Sequence, residues 1–236
     1  MANPGFSEKL FQRLEGVTTT DTMTFEGTIN KSGLLLAFAI AGAAVGWQAE
    51  SMGLAMILLL VNLVLAFAII WGPHRAQYLS QVYALGEGYI LGAISAIYAV
   101  QYPGIVSNAM FLTIGVLGVM LVLYRFRIIT VSDKFRSILM AATMAVALTY
   151  FVSMIMSLFG SSVPMIHQAS PIGIAFSVVV VLIAAFNLLL DFDMIESLQS
   201  RGAPKYMEWY AGFALLLTIV WLYLEILRLL SKLSKK

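Results

Sequence analysis

Seven apolar runs, each close to the length that carries an α-helix across a bilayer, are separated by short stretches of turn chemistry. A hydrocarbon core about 30 Å thick needs about 20 residues at helical rise. In lipid the backbone must satisfy its own hydrogen bonds, which leaves only helices and closed barrels as spanning structures. The runs are Gly33 to Gln48, Gly53 to Trp71, Tyr78 to Val100, Ile105 to Tyr124, Ser137 to Phe159, Ile172 to Ile195 and Tyr206 to Leu230. They break at Gly72-Pro73, Tyr102-Pro103-Gly104, Gly160 through Pro164, Pro171 and Gly202-Ala203-Pro204, all turn-forming sequences. Barrel strands would instead show short alternating segments, which are absent. The expectation is an all-α integral membrane protein, a seven-transmembrane-helix bundle over residues 32–236 behind a polar cytoplasmic segment over 1–31.

Composition narrows the function. Of 236 residues, 61% are hydrophobic and 11% charged, whereas soluble domains carry about 25% charged residues. The net charge of +2 is too small and dispersed for a nucleic-acid partner, which would need clustered Lys and Arg. With no cysteine, disulfides, thiol catalysis and zinc-thiolate sites are excluded. The N-terminal stretch has mixed charge and no apolar signal core, so the first span is expected to direct insertion.

Basic residues flank the runs unevenly. Lys9, Arg13 and Lys31 precede the first, Arg75 follows the second, Arg125, Arg127, Lys134 and Arg136 follow the fourth, and Arg201 and Lys205 follow the sixth. By the positive-inside rule these loops and the N-terminus are cytoplasmic. The tail lysines Lys232, Lys235 and Lys236 disagree, because seven full crossings put them outside. Either the translocated tail is simply short or one segment is re-entrant; seven crossings are the expectation. Tyr206, Trp209 and Tyr210 read as an interfacial aromatic belt.

Acids at membrane depth are the candidate functional residues, because a charge there costs roughly 2.5–3.5 kcal/mol on insertion scales. Asp191 lies in NLLLDFDMI of the sixth run and Glu225 in WLYLEIL of the seventh. Asp193 is two positions on, about 200° around the helix, so it cannot face the same partner as Asp191. Asp193 and Glu196 read as a solvated helix end. Arg228 follows Glu225 by three residues, which offers a local ion pair as the plainer role for that acid. Glu87 sits mid-span in the third run as a pathway acid, or as a structural carboxylate neutralised by a proton or by Arg75. Gly88, Gly92 and Ala96 form a small-residue stripe for close helix packing. Asn62, Asn108 and Asn187 read as interhelical hydrogen-bonding groups. His74 and His167 fall on opposite sides of the membrane and cannot share a metal. A retinal-type protein would need a lysine within the last span. An intramembrane aspartyl protease would need a glycine-containing GxGD motif that YLEIL lacks, so no enzyme activity is expected.

LLLDFDMI and LYLEILRLL, beside GEGYILGAIS, LYRFRII and APKYMEWYAGF, resemble the Bax inhibitor family of membrane proteins, within it a bacterial branch. The resemblance covers roughly residues 20–234. Asp191 and Ile195 match an Asp-x-x-x-Ile pattern at the end of the family's sixth helix, and Glu225 matches the acid of a Leu-Tyr-Leu-acid motif in the seventh, usually Asp. The resemblance implies seven helices with the last one central, and a pH-sensitive calcium leak in which those two acids sense protons. Arg75 is the nearest match to a basic residue that relatives place at the cytoplasmic end of the second helix, opposite the sixth-helix acid.

Two carboxylates in low dielectric repel when both are ionised, so a close pair shares a proton and titrates as a unit. Once ionised, such a pair can recruit a cation or Arg75, and hard oxygen ligands suit calcium, making Asp191 and Glu225 the candidate calcium ligands. The expected function is a pH-sensitive calcium leak channel of the cytoplasmic membrane, with its N-terminus cytoplasmic. Asp191, Glu225, Asp193, Glu87 and Arg75 are the candidate sensor and pathway residues. Its partners are lipid, protons and calcium as cargo, with no cofactor. The alternatives are a regulatory scaffold acting on a membrane protease or another complex, and a proton-coupled transporter.

Overall fold

The computed structural model of the chain describes residues 22–49, 51–159 and 170–235. Among them are seven helices long and apolar enough to cross a membrane. These are α1 Phe25–Ala49, α2 Met52–Trp71, α3 Ala76–Gln101, α4 Ile105–Arg125, α5 Asp133–Leu158, α6 Pro171–Ser200 and α7 Met207–Ser234, with a 3-10 turn over Pro73–Arg75 between α2 and α3. Each expected run lies within one helix or overhangs its end by a residue. His167 and residues 1–21 of the expected polar segment lie outside the described residues.

Helix ends follow capping chemistry rather than hydropathy. α1 starts at Phe25, not near Gly33, because the Thr24 hydroxyl accepts from the Gly27 N–H at 3.0 Å and begins the helix among polar residues. Ser132 does the same for α5, accepting from the Phe135 N–H at 3.2 Å. Lys134 and Arg136, expected in a loop, therefore lie in the first turn of α5. α6 stops at a Schellman motif: Gly202 takes a φ of 66°, while the Gly202 and Ala203 N–H groups donate to Gln199 and Leu198 carbonyls at 3.0 and 3.1 Å. Gly202 supplies the left-handed residue such a stop requires.

The chain divides into two compact units, one containing residues up to Gln101 with Asp191–Leu217, the other Tyr102–Leu190 with Thr218–Lys236. α6 and α7 each contribute to both. In the first unit, α1 and α3 meet backbone to backbone. A Cβ on Gly88 or Gly92 would overlap the carbonyl oxygen of Ala39 or Ala43, and one on Gly42 or Gly46 would overlap that of Leu85 or Tyr89. The expected packing role of Gly88 and Gly92 is thus met by a second GxxxG stripe, Gly42 and Gly46 on α1. Close approach maximises dispersion between helices that gain no hydrophobic drive in lipid.

The start of α1 is also stapled to the start of α7. Thr22 forms a β-bridge with Pro204, and the Met23 N–H donates to the Ala203 carbonyl at 2.7 Å. Buried Glu208 accepts from both the Thr24 N–H and its hydroxyl at 3.0 Å, and Lys205 lies 3.2 Å from the same oxygen. A carboxylate at a helix N-terminus satisfies orphan N–H groups and complements the macrodipole. Beside it, Lys31 lies 4.8 Å from the centroid of the Trp209 ring. Tyr210, expected in an interfacial belt with Tyr206 and Trp209, is instead buried, because helical rotation turns it inward from Trp209.

In the second unit α5 and α6 run antiparallel. Phe135 stands edge-on to Phe186 and Tyr150 to Phe176, and Asn187 donates to Thr143 Oγ1 at 2.9 Å. The end of α7 is level with the start of α6, where Lys232 reaches Gly173 and Ser177. Elsewhere the large apolar side chains of α2, α4 and α5 point outward, the pattern of helices solvated by lipid rather than water. α7 and α3 are the most enclosed helices, each with 50% of its most apolar window buried, against 17–22% for α1, α2, α4 and α5.

Candidate functional site

Buried Glu225, with only 2% of its surface exposed, anchors a polar cluster in the second unit. Its carboxylate accepts from the Tyr150 hydroxyl at 2.9 Å to each oxygen. Arg228 Nη1 donates at 3.0 and 3.1 Å, and Trp221 Nε1 donates at 3.3 Å. Trp221, Glu225 and Arg228 share a helix face because their spacings are four and three. Arg228 closes the triangle by donating to the Tyr150 hydroxyl and stacking over its ring, 4.7 Å from the centroid. The local ion pair foreseen as the plainer role for Glu225 is therefore present, with Tyr150 added from α5. Breaking such a pair on one side leaves a buried charge, whose cost is several kcal/mol.

Asp191 is also buried, 8% exposed, on a stretch of α6 where Leu188, Leu189, Phe192 and Ile195 are buried as well. Asp193 is half-buried and Glu196 exposed, the sequence of environments that a 100° rotation per residue produces. Asp191 belongs to the first unit and Glu225 to the second. Their pairing was expected because each acid would otherwise need a partner of its own. For Glu225 that premise does not hold, since Arg228, Tyr150 and Trp221 are its partners. Among the described residues no group of three or more Asp, Glu or His side chains could hold a metal ion.

Glu87 is half-buried in the first unit. It accepts from buried Asn62 Nδ2 at 2.9 Å and hydrogen-bonds the Tyr83 hydroxyl, so the partners described for it are uncharged. Asn62 also donates to the Tyr83 carbonyl at 3.2 Å, and Gly86 leaves the space it fills. Arg75, offered by the sequence as a counter-charge for Glu87, is exposed in the 3-10 turn. Twelve residues of helix separate the two by about 18 Å, beyond the reach of a side-chain pair. Asn62 and Asn187 are the interhelical hydrogen-bonding groups expected; Asn108 is not, because it is exposed in the first turn of α4.

Sequence reasoning missed Tyr150, Glu208 and Lys232. Tyr150 gives no local signal, since it lies 75 residues from Glu225. Lys232 gives one: it follows Glu225 by seven residues and Arg228 by four, on the same face. Counting it as a tail charge hid that face.

No curated protein matches the chain. A model of a membrane-protein family described as Bax inhibitor 1 like matches residues 3–235. That match spans essentially the entire sequence, including the seven membrane-long helices and the buried acids Asp191, Glu208 and Glu225, and the chain belongs to the Bax inhibitor 1 like family.

Proposed function

We propose that the protein is a pH-sensitive calcium leak channel of the cytoplasmic membrane, with the Glu225–Arg228–Tyr150 triangle as its proton-responsive element. The observation that carries this reading is an acid buried at membrane depth, ion-paired to Arg228 on its own helix and hydrogen-bonded to Tyr150 on α5. Intramembrane ionisable groups of this kind mark ion and proton pathways. Ionised, Glu225 holds Arg228 against Tyr150 and ties α7 to α5. Protonated, it no longer attracts the guanidinium, and Arg228 is left to Tyr150 and water. One proton thus biases two packings of the same helices, the general form of a pH switch. Asp191, Asp193 and Glu87 are pathway acids in this reading, with calcium as cargo.

The test is calcium flux into proteoliposomes from mildly acid to mildly alkaline pH. Wild type is expected to show a pH-dependent leak, and Glu225→Gln, which keeps the shape but not the ionisable group, to flatten that dependence while still assembling. An unchanged pH profile in Glu225→Gln removes the triangle from the mechanism. A regulatory scaffold for a membrane protease is the second reading, favoured by the counter-charge that Arg228 already supplies to Glu225 within the same helix. It requires that wild type pass no calcium at any pH.

The orientation that goes with this reading puts the N-terminus and the basic loops in the cytoplasm. Because the native chain has no cysteine, single cysteines report cleanly. A cysteine at exposed Lys134 or Arg201 is expected to resist an impermeant maleimide on intact cells and to react after permeabilisation. Full labelling from outside reverses the orientation.

A further inference from the structure

The last turns of α7 bury a lysine. Lys232 is 3% exposed, and its Nζ donates to the Gly173 carbonyl at 2.9 Å and to Ser177 Oγ at 2.7 Å. Both acceptors are neutral oxygens. A backbone carbonyl and a hydroxyl are the ligands with which proteins replace the hydration shell of a monovalent cation. The two oxygens come together because Gly173 and Ser177 stand one turn apart on α6: Gly173 has no side chain to cover its carbonyl, and Ser177 is 1% exposed.

The electrostatics of this position oppose a cation. Gly173 lies in the first turn of α6, the positive end of its macrodipole. Along α7 the nearest charged groups are Arg228, one turn away, and Glu225, already bound to Arg228. An ammonium stays here because the chain delivers it at high effective concentration and two oxygens receive it.

We propose that the Gly173 carbonyl and the Ser177 hydroxyl form a monovalent-cation site whose resident is the Lys232 ammonium, a tethered cation that excludes free ones from this end of the protein. The proposal deepens the leak reading and rests on it only for permeation; the binding chemistry stands alone. Removing the tether leaves oxygens that take a small free cation weakly, at millimolar concentration, because tethering with a short linker is itself worth millimolar effective concentration.

The test is Lys232→Ala in the full chain, with ethylammonium chloride as the probe and choline chloride, whose quaternary ammonium has no N–H to donate to the two oxygens, at equal ionic strength. Lys232→Ala is expected to melt below wild type in detergent, and ethylammonium but not choline to recover most of the loss. Wild type is expected to respond to neither. Adding Ser177→Ala to the variant is expected to abolish the recovery. In liposomes Lys232→Ala is expected to leak potassium or sodium severalfold faster than wild type, with ethylammonium suppressing the leak. Equal effects of ethylammonium and choline, or recovery that persists without Ser177, overturn the site. If Lys232→Ala does not fold unaided, purification in each salt decides: folded protein from ethylammonium alone supports the site, and from neither overturns it. Absence of wild-type calcium flux would strike the leak reading alone, because ethylammonium-specific stabilisation does not depend on it.

Discussion

Gly88→Ala is expected to lower thermal stability in detergent by about 3 kcal/mol or more, the upper range for overpacking a close-packed contact. A single added methyl has no free volume to enter, since its carbon would overlap the Ala39 carbonyl oxygen on α1. The obstacle is backbone, not a side chain that can rotate away. The two helices would have to separate, and separation also loosens the Gly42, Gly46 and Gly92 contacts of the same seam. Gly88→Leu is expected to prevent recovery of folded protein. Gly115→Ala on α4 is the matched control, because nothing lies within 4 Å of a Cβ there. Alanine in place of an open helical glycine gains up to about 1 kcal/mol, so that variant should melt at or above wild type. Equal melting of Gly88→Ala and Gly115→Ala would remove the seam from the account of stability.

Arg228→Met is expected to cost about 3–5 kcal/mol, the range for stranding one member of a buried ion pair. Glu225 would keep Tyr150 and Trp221 as donors but lose its counter-charge at 2% exposure. Arg228 is itself one-third exposed, at 33%, so water moderates its own loss and most of the cost lies in the abandoned carboxylate. The double variant Glu225→Gln with Arg228→Met is therefore expected to be more stable than Arg228→Met alone. Removing both charges removes the stranded one, and a glutamine can still accept from Tyr150. Thermal unfolding of wild type, both single variants and the double variant gives the coupling energy directly. Simple additivity would mean the pair contributes nothing beyond its parts.

Loss of Arg228 bears on function as well. If the triangle is the proton-responsive element, Arg228→Met should alter the pH profile of calcium flux along with stability. Glu225→Gln should alter the profile with a smaller loss of stability. The scaffold reading has no flux for either variant to change.

Seven helices were legible because membrane crossing is a local, additive property: about 20 apolar residues suffice wherever they lie in the chain. Glycine spacing likewise exposed Gly88 and Gly92 as a packing stripe, and the i, i+3 spacing exposed Arg228 as a partner for Glu225. Helix ends were less legible. Thr24 and Ser132 begin helices inside polar sequence, where hydropathy has already ended but capping has not.

By itself, then, the sequence determined the medium, the seven membrane-long helices found among the described residues, the Glu225–Arg228 pair and the family. The tertiary structure alone decided the long-range partners of the charges: Tyr150 for Glu225, Thr24 for Glu208, and Gly173 with Ser177 for Lys232. The physical reason is that helical periodicity says which residues share a face but not which helix that face meets. In lipid the hydrophobic effect does not choose among apolar faces. Contact is selected by close backbone approach and by a few buried polar groups, and those become specific only when distant segments are brought together.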